Sequence, residues 1–171
     1  MIREFTETAG LQLVAPPIEG WTDEVVPGLV ELLPSSNYSP VYAWMYAYEK
    51  GLKRRIERLI GQPLGVWERR LFGADGAFSE ALSNAFLHGH RRDPALPITI
   101  RCTVGERGLF FAISDQGPGF DSAAVLAARA RSAPSFHIAG NGLRCLAETP
   151  GLTVWWADGG RTLRLLVDLT T

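Results

Sequence analysis

The sequence Glu80-Ala-Leu-Ser-Asn84-Ala-Phe-Leu-His88-Gly89 carries a polar side chain at every fourth position. In a helix this spacing places Glu80, Asn84 and His88 on one face. The neighbouring apolar residues fall on another face: Phe78, Leu82 and Phe86. A carboxylate and an amide oxygen side by side are hard ligands of the kind that Mg²⁺ prefers. Taken alone, the pattern also fits an exposed polar stripe on an ordinary amphipathic helix.

A second informative stretch, Ser114-Asp115-Gln116-Gly117-Pro118-Gly119-Phe120, follows an apolar run that predicts a buried strand over 109–114. Asp115 would stand at the carboxyl end of that strand, where it can accept a hydrogen bond from a ligand amine. Gly117 and Gly119 lack a Cβ, so a flat ring or a phosphate chain can approach the backbone closely. The same residues also make ordinary turns.

A third stretch, Gly140-Asn141-Gly142-Leu143, opens a short helix predicted over 142–148. Glycines at the start of a helix expose backbone N–H groups and the positive end of the helix dipole, which is a phosphate-binding arrangement. The stretch matches neither the Walker A motif nor the dinucleotide-binding fingerprint. A plain junction between loop and helix remains the alternative.

The rest of the chain predicts helices and strands in blocks. Leu11–Val14 and the region of Phe5 read as short strands, and Thr22-Asp23-Glu24 reads as the start of a short helix. Helical periodicity or composition then covers 41–60, 66–89 and 121–131, and strand patterns cover 98–104, 109–114, 152–157 and 162–169. Because helices and strands do not alternate strictly, the order favours an α+β two-layer domain over a doubly wound parallel sheet.

Composition narrows the classes of function. Of 171 residues, 17 are basic and 18 acidic, a net charge of −1 that argues against a nucleic-acid partner. The longest apolar run, Val41–Tyr48, is shorter than the ~20 residues that cross a bilayer. No secretory signal is visible, so we expect a cytoplasmic protein without a membrane partner. Cys102 and Cys145 form no metal motif and read as buried apolar residues, although the sequence does not exclude a disulfide.

Taken together, the three stretches resemble the GHKL ATPase superfamily, which includes gyrase, chaperone, mismatch-repair and histidine kinase ATPase domains. The Glu80–His88 segment is similar to the N box, Asp115–Phe120 to the G1 box and Gly140–Leu143 to the G2 box. Thr162 matches the late Gly-Thr signal, with Arg161 inserted between glycine and threonine. The resemblance covers roughly residues 40–169.

The resemblance implies a Bergerat-type ATP-binding fold, a two-layer α/β sandwich with helices on one face of a mixed, mainly antiparallel sheet. It implies that residues 41–171 form a histidine kinase-like ATPase domain. Residues 1–40 are then an N-terminal extension of unassigned role within what is expected to be one compact unit.

The resemblance also implies roles for individual residues, with ATP as substrate and Mg²⁺ as cofactor. Glu80 would be the general base, Asn84 would ligate Mg²⁺, and Asp115 would hold the adenine amino group. The remaining nucleotide-binding residues would be Gly117, Gly119, Gly140, Asn141, Gly142, Leu143 and Thr162. Residues 121–139 would form the lid over the nucleotide.

Within the superfamily, the chain looks most like bacterial anti-sigma-factor serine/threonine-protein kinases. Residues 1–87 contain no histidine that could serve as a phosphoacceptor, and Arg144 replaces a glycine typical of histidine kinases. The expected partners are a sigma factor, an anti-anti-sigma-like protein, or both, and a homodimer is a further expectation. Two alternatives stay open: a nucleotide-dependent binding module without turnover, and the detached catalytic domain of a two-component histidine kinase. Asn141 stands where the relatives carry arginine.

Overall fold

The computed structural model of the chain describes residues 11–26, 39–73, 76–122 and 149–171. Its three α-helices are α1 (Ser39–Ile60), α2 (Val66–Leu71) and α3 (Ala77–Asn84), and α3 continues as a π-helical turn over Ala85–Gly89. Its strands are β1 (Pro17–Val25), β2 (Ile98–Gly105), β3 (Gly108–Ser114), β4 (Leu152–Ala157) and β5 (Thr162–Asp168). Short 3₁₀ turns cover Leu11–Val14 and Asp158–Gly160.

The strands form one sheet in the order β1-β2-β3-β5-β4. Every pairing among these described strands is antiparallel, so this part of the sheet is not mixed. β3 lies in the centre, and its residues Leu109–Ile113 are all buried. A strand covered on both faces reads as a continuous apolar run, which is why the sequence predicted it well.

The two faces of the sheet are covered differently. The helices pack on one face, where Phe78 of α3 meets Phe111 of β3 edge to face with ring centroids 5.1 Å apart. On the other face Val14, from the 3₁₀ turn, packs against Phe110 and Leu166. The predicted two-layer α+β architecture is therefore confirmed.

The N-terminal predictions were wrong in two places. Leu11–Val14 is a 3₁₀ turn rather than a strand, and Thr22–Glu24 lies inside strand β1 rather than at a helix start. Trp21, Asp23 and Val25 alternate with more exposed residues, as a half-buried strand requires. Asp23 accepts hydrogen bonds from Trp21 Nε1 at 3.1 Å and from the Tyr48 hydroxyl at 2.8 Å, which ties β1 to α1. The predicted strand near Phe5 lies outside the described residues.

The predicted helix over 66–89 is interrupted. Gly73 has φ +91°, a conformation that favours glycine. A Cβ at Gly76 would lie 2.5 Å from the carbonyl carbon of Leu71, so the chain also needs glycine there to turn back on α2. The helices predicted over 121–131 and 142–148 fall outside the described residues, apart from 121–122.

Two features considered from composition, the cysteines and the hydropathy of the helices, can be compared with the described residues. Cys102 is fully buried, as predicted, and this burial raises the pKa of its thiol. Cys145 lies outside the described residues. Within the four described ranges, none of the helices combines the length and the hydropathy needed to span a bilayer.

Candidate functional site

A pocket of about 430 Å³ lies between α3 with its π-helical turn, the loop after β3, and the β4–β5 turn. That volume falls within the range typical of small-molecule sites, roughly 300–1,000 Å³. The residues that line it include four that the sequence singled out as nucleotide or catalytic residues: Glu80, Asn84, Asp115 and Gly119. His88, the third member of the polar stripe, also lines the pocket, and its side chain is exposed.

Glu80 and Asn84 form a hydrogen-bonded pair on the helix wall of the pocket. Asn84 Nδ2 donates to Glu80 Oε1 at 3.0 Å. This bond fixes which end of the Asn84 amide faces its neighbour, so Oδ1 is the atom left to bind a cation. An amide oxygen beside a carboxylate suits Mg²⁺, so the pair fits the expected metal.

Asp115 stands at the end of β3, as predicted, and is held by the backbone around it. Its N–H donates to the Arg161 carbonyl at 3.0 Å, and its Oδ1 accepts from the Gly117 N–H at 2.8 Å. Burial raises the pKa of the Asp115 carboxyl, while the Gly117 N–H, His90 and Arg161 partly oppose that rise. A half-buried acceptor of this kind needs a donor, and with Oδ1 engaged by Gly117, Oδ2 is the oxygen that a ligand amine in the pocket would use.

The glycines around Asp115 permit close approach between protein segments. A Cβ at Gly89 would lie 2.6 Å from both Cβ and Oδ1 of Asp115. A Cβ at Gly117 would overlap the Gly89 carbonyl oxygen and lie 2.9 Å from Asp115 Oδ1. The helix end and the loop after β3 therefore pack backbone against backbone, and Asp115 sits where they meet.

The β4–β5 turn closes the pocket on its far side. The Phe120 N–H donates to the Gly159 carbonyl at 2.9 Å, and the ring of Phe120 packs edge to face on Trp156. Thr162, a predicted nucleotide residue, is buried, and its hydroxyl lies 2.9 Å from the Ser114 hydroxyl. Thr162 thus links β5 to the end of β3, next to Asp115.

Comparison with known proteins gives one family. Residues 49–150, more than half of the chain, match the histidine kinase-like ATPase domain. The chain belongs to this family. No curated protein matches it. The predicted resemblance to the GHKL superfamily is therefore confirmed, and with it the expectation of an ATP-binding fold.

The matched region of the ATPase domain begins inside α1 and ends before β4. It includes Glu80, Asn84 and Asp115. The structure adds β4 and β5 to the same sheet, and Trp156 and Arg161 from this hairpin line the pocket. The pocket therefore depends on residues beyond the family match.

Several pocket residues of the ATPase domain were missed by sequence reasoning. Trp156 carried only a strand pattern, and Phe120, the last residue of the segment similar to the G1 box, was given no role of its own. Arg161 was visible as an interruption of the Gly-Thr signal, and the structure shows that its Nε donates to the Asp158 carbonyl at 3.0 Å. This bond holds the guanidinium at the pocket wall.

For His88-Gly89-His90 the sequence favours packing at the helix end over a metal pair, and it does not show the contact that His90 makes beside the pocket. His90 is 3% exposed, and its Nε2 accepts a hydrogen bond from the Gln116 N–H at 3.1 Å. The signal that could have found it is its place directly after Gly89, at the end of the polar stripe. The predicted phosphate stretch Gly140–Leu143 and nearly all of the predicted lid lie outside the described residues.

Proposed function

We propose that this ATPase domain is a regulatory protein kinase of the anti-sigma type. It would transfer the γ-phosphate of ATP to a serine or threonine of an antagonist protein. The observation that carries the proposal is the Glu80–Asn84 pair, which places a carboxylate and an amide oxygen on one wall of the pocket that Asp115 also lines. The pair supports turnover as well as binding, because a pocket that only binds nucleotide has no need of a general base such as Glu80.

Asp115 would select the base of the nucleotide. Its Oδ1 is occupied by the Gly117 N–H, and its Oδ2 would accept from the exocyclic amine of adenine. A nucleobase that presents a carbonyl oxygen at that position would place two hydrogen-bond acceptors, its own oxygen and Asp115 Oδ2, against each other. Discrimination of this kind is strong when a buried polar group would be left unpaired.

Asn84 would hold Mg²⁺ through Oδ1, since Nδ2 is committed to Glu80. When bound, the ion would neutralise charge on the phosphates, as metal ions do in phosphoryl transfer generally. The same bond engages Glu80 Oε1 and leaves Oε2 as the oxygen that would accept the proton of the acceptor hydroxyl.

Glu80 would act as the general base on the acceptor hydroxyl. The hydroxyl oxygen forms a bond to the γ-phosphorus, the bond from that phosphorus to the β–γ bridging oxygen breaks, and Glu80 takes the hydroxyl proton. The products are a phosphorylated side chain and ADP. Proton transfer of this kind contributes roughly 10²–10⁴-fold to the rate.

The partner assignment follows from the same proposal. An antagonist of the anti-anti-sigma kind would supply the acceptor hydroxyl, and a sigma factor would be the protein that the domain sequesters. Residues 1–87 hold no histidine that could accept the phosphate within the same chain.

The test begins with ATP and ADP binding by calorimetry, with and without Mg²⁺. Transfer from radiolabelled ATP to candidate antagonist proteins then follows, with Glu80→Gln as the variant and Glu106→Gln, an exposed carboxylate in the β2–β3 turn, as the matched control. We expect Glu80→Gln to keep ADP affinity and to lose transfer at least a hundredfold, by about the contribution of a general base. We expect Glu106→Gln to behave as the wild type.

Other outcomes would redirect the assignment. Transfer that survives in Glu80→Gln would remove Glu80 as the base. Binding without transfer in the wild type would make the protein a nucleotide-dependent binding module. An acid-labile product would indicate phosphohistidine, and with it the catalytic domain of a two-component kinase.

A further inference from the structure

Besides the close packing at Gly89, one side chain links the end of the helix that carries Glu80 and Asn84 to the loop that carries Asp115. His90 Nε2 accepts a hydrogen bond from the Gln116 N–H at 3.1 Å. The ring is 3% exposed and lies just beyond the π-helical turn, whose last bond runs from the His90 N–H to the Ala85 carbonyl. His90 therefore connects the helix wall of the pocket to the loop after β3 without itself lining the pocket.

The direction of this bond defines the protonation state of the ring. An imidazole nitrogen that accepts a hydrogen bond carries no proton, so the neutral His90 ring has its proton on Nδ1. Nδ1 is buried and has no hydrogen-bond partner within the described part of the chain. Protonation of Nε2 would aim an N–H at the Gln116 N–H and would turn the ring into a donor at both nitrogens.

The charged groups around the ring do not reverse this preference. Asp115, from the loop after β3, and Asp93, from the turn after the helix, both favour the charged ring, but burial outweighs them and lowers the pKa of His90. Arg91 and Arg92, which follow His90 in the chain, are exposed.

The loop that His90 holds is a tight unit. The Gly117 N–H donates to Asp115 Oδ1 at 2.8 Å, and Gln116 lies between these two residues. Gly89 packs against Asp115 on the same side. Because Gln116 is bonded directly to Asp115, a displacement of the Gln116 backbone would also displace the Asp115 carboxylate.

We propose that His90 is a positioning residue for the nucleotide site, which in its neutral form fixes the Asp115–Gly117 turn and which on protonation releases that turn and weakens nucleotide binding. The inference rests on the binding of nucleotide in this pocket. It makes the affinity for nucleotide dependent on pH through a residue that does not line the pocket.

The experiment measures the ADP dissociation constant of the full chain by calorimetry, from about pH 8 to about pH 5.5, across the range in which histidine titrates. The variants are His90→Gln, whose amide oxygen can accept from the Gln116 N–H without titrating, and His90→Leu, which removes the acceptor. Glu106→Gln, at an exposed side chain of the β2–β3 turn that does not line the pocket, is the matched control. Circular dichroism and thermal unfolding establish that each variant is folded.

We expect wild-type affinity to fall as the pH drops below the ordinary histidine value of 6.5. His90→Gln should keep the affinity measured at pH 8 and fall less steeply, the remaining slope being that of Asp115, whose raised pKa acts in the same direction. His90→Leu should bind about tenfold more weakly throughout, since it leaves a backbone donor unpaired. Glu106→Gln should follow the wild type.

A second measurement does not depend on the variants. Because linkage is reciprocal, ADP that prefers the neutral ring must lower the titration midpoint of His90, which NMR reads directly from the imidazole protons. An unchanged midpoint in saturating ADP, or a His90→Gln profile that parallels the wild type, would overturn the inference while leaving the nucleotide site intact. No ADP binding by the wild type at pH 8 would instead refute the nucleotide site itself.

Discussion

Replacing Gly89 with alanine tests whether the close contact between the helix end and Asp115 shapes the nucleotide site. The new Cβ would lie 2.6 Å from Asp115 Cβ and Oδ1 and would overlap Cγ. Carbon atoms do not approach this closely without a bond, so one of the two residues must move. The Gly117 N–H also holds Asp115 Oδ1, at 2.8 Å, so a displaced Asp115 would lose this bond and its place in the pocket.

The magnitude follows from the cost of adding a carbon to a packed contact. Overpacking of one methyl group costs about 1–3 kcal/mol. If that cost falls on the arrangement that binds nucleotide, ADP affinity drops roughly 5- to 150-fold. Alanine is also a better helix former than glycine, by up to about 1 kcal/mol, so the free energy of unfolding should change less than the free energy of binding.

The assay pairs ADP calorimetry with thermal unfolding. The matched control is Gly51→Ala in α1, where an added Cβ meets nothing within 4 Å. This control should leave ADP affinity unchanged and stabilise the fold by about 0.5–1 kcal/mol. Wild-type affinity in Gly89→Ala would refute the argument that this contact sets the position of Asp115.

Two further substitutions test the site and the core. Asp115→Asn should weaken ADP binding roughly 10- to 150-fold, the effect of losing about 1.5–3 kcal/mol from a charged hydrogen bond. The Gly117 N–H would keep the amide oxygen, so the amide nitrogen would face the ligand amine. Asp115→Asn should not lower the melting temperature near neutral pH, because a carboxyl whose folded pKa is raised loses stability as the pH rises above its ordinary value of 3.8. Unchanged ADP affinity would contradict the assigned role. Phe111→Ala should destabilise the fold by about 3–5 kcal/mol in denaturant titrations, because the ring is fully buried against Phe78. A loss below about 1 kcal/mol would contradict the central place of β3.

The parts of the fold that could be predicted from the sequence are those whose pattern is local. The helix over 41–60 and the strands near 98–104, 109–114, 152–157 and 162–169 all lie where periodicity placed them. β1 was misread because Asp23 and Glu24 look like a helix start. The partner that makes Asp23 acceptable on the inner face of a strand is the Tyr48 hydroxyl, 25 residues away in sequence.

The prediction of one long helix over 66–89 was wrong for a different reason. Gly73 and Gly76 were visible as weak points, but whether a glycine bends a helix or ends it depends on what packs against it. Here a Cβ at Gly76 would collide with the backbone of Leu71, a contact that exists only because α3 folds back over α2. The π-helical turn after Asn84 has no sequence signal at all.

The residues of the candidate site also divide into those that the sequence could predict and those that it could not. Glu80, Asn84 and Asp115 could be predicted because their spacing and their places on a helix and at a strand end are local properties, and the pocket brings the three together. Gly117 and Gly119 could be singled out as glycines, but their contacts with Gly89 and Gly159 could not. His90 and Trp156 enter the site through tertiary contacts that no spacing rule contains.

Two polar groups at and beside the pocket, Asp115 and His90, are held at a cost to the fold, and that cost is itself an argument for ligand binding. Burial disfavours the charged form of Asp115, and it leaves His90 Nδ1 without a hydrogen-bond partner among the described residues, just after the helix that carries Glu80. Apolar residues in both places would satisfy the fold better, since a buried polar group without a full set of partners is destabilising. Local choices that conflict with stability are expected where a site must bind a ligand, and both conflicts here fall along the contact between the helix end and the loop after β3. A ligand donor would relieve the Asp115 conflict, whereas His90 already uses its Nε2 to hold the loop after β3. Under the proposed function, this difference assigns contact with the nucleotide to Asp115 and the positioning of Asp115 to His90.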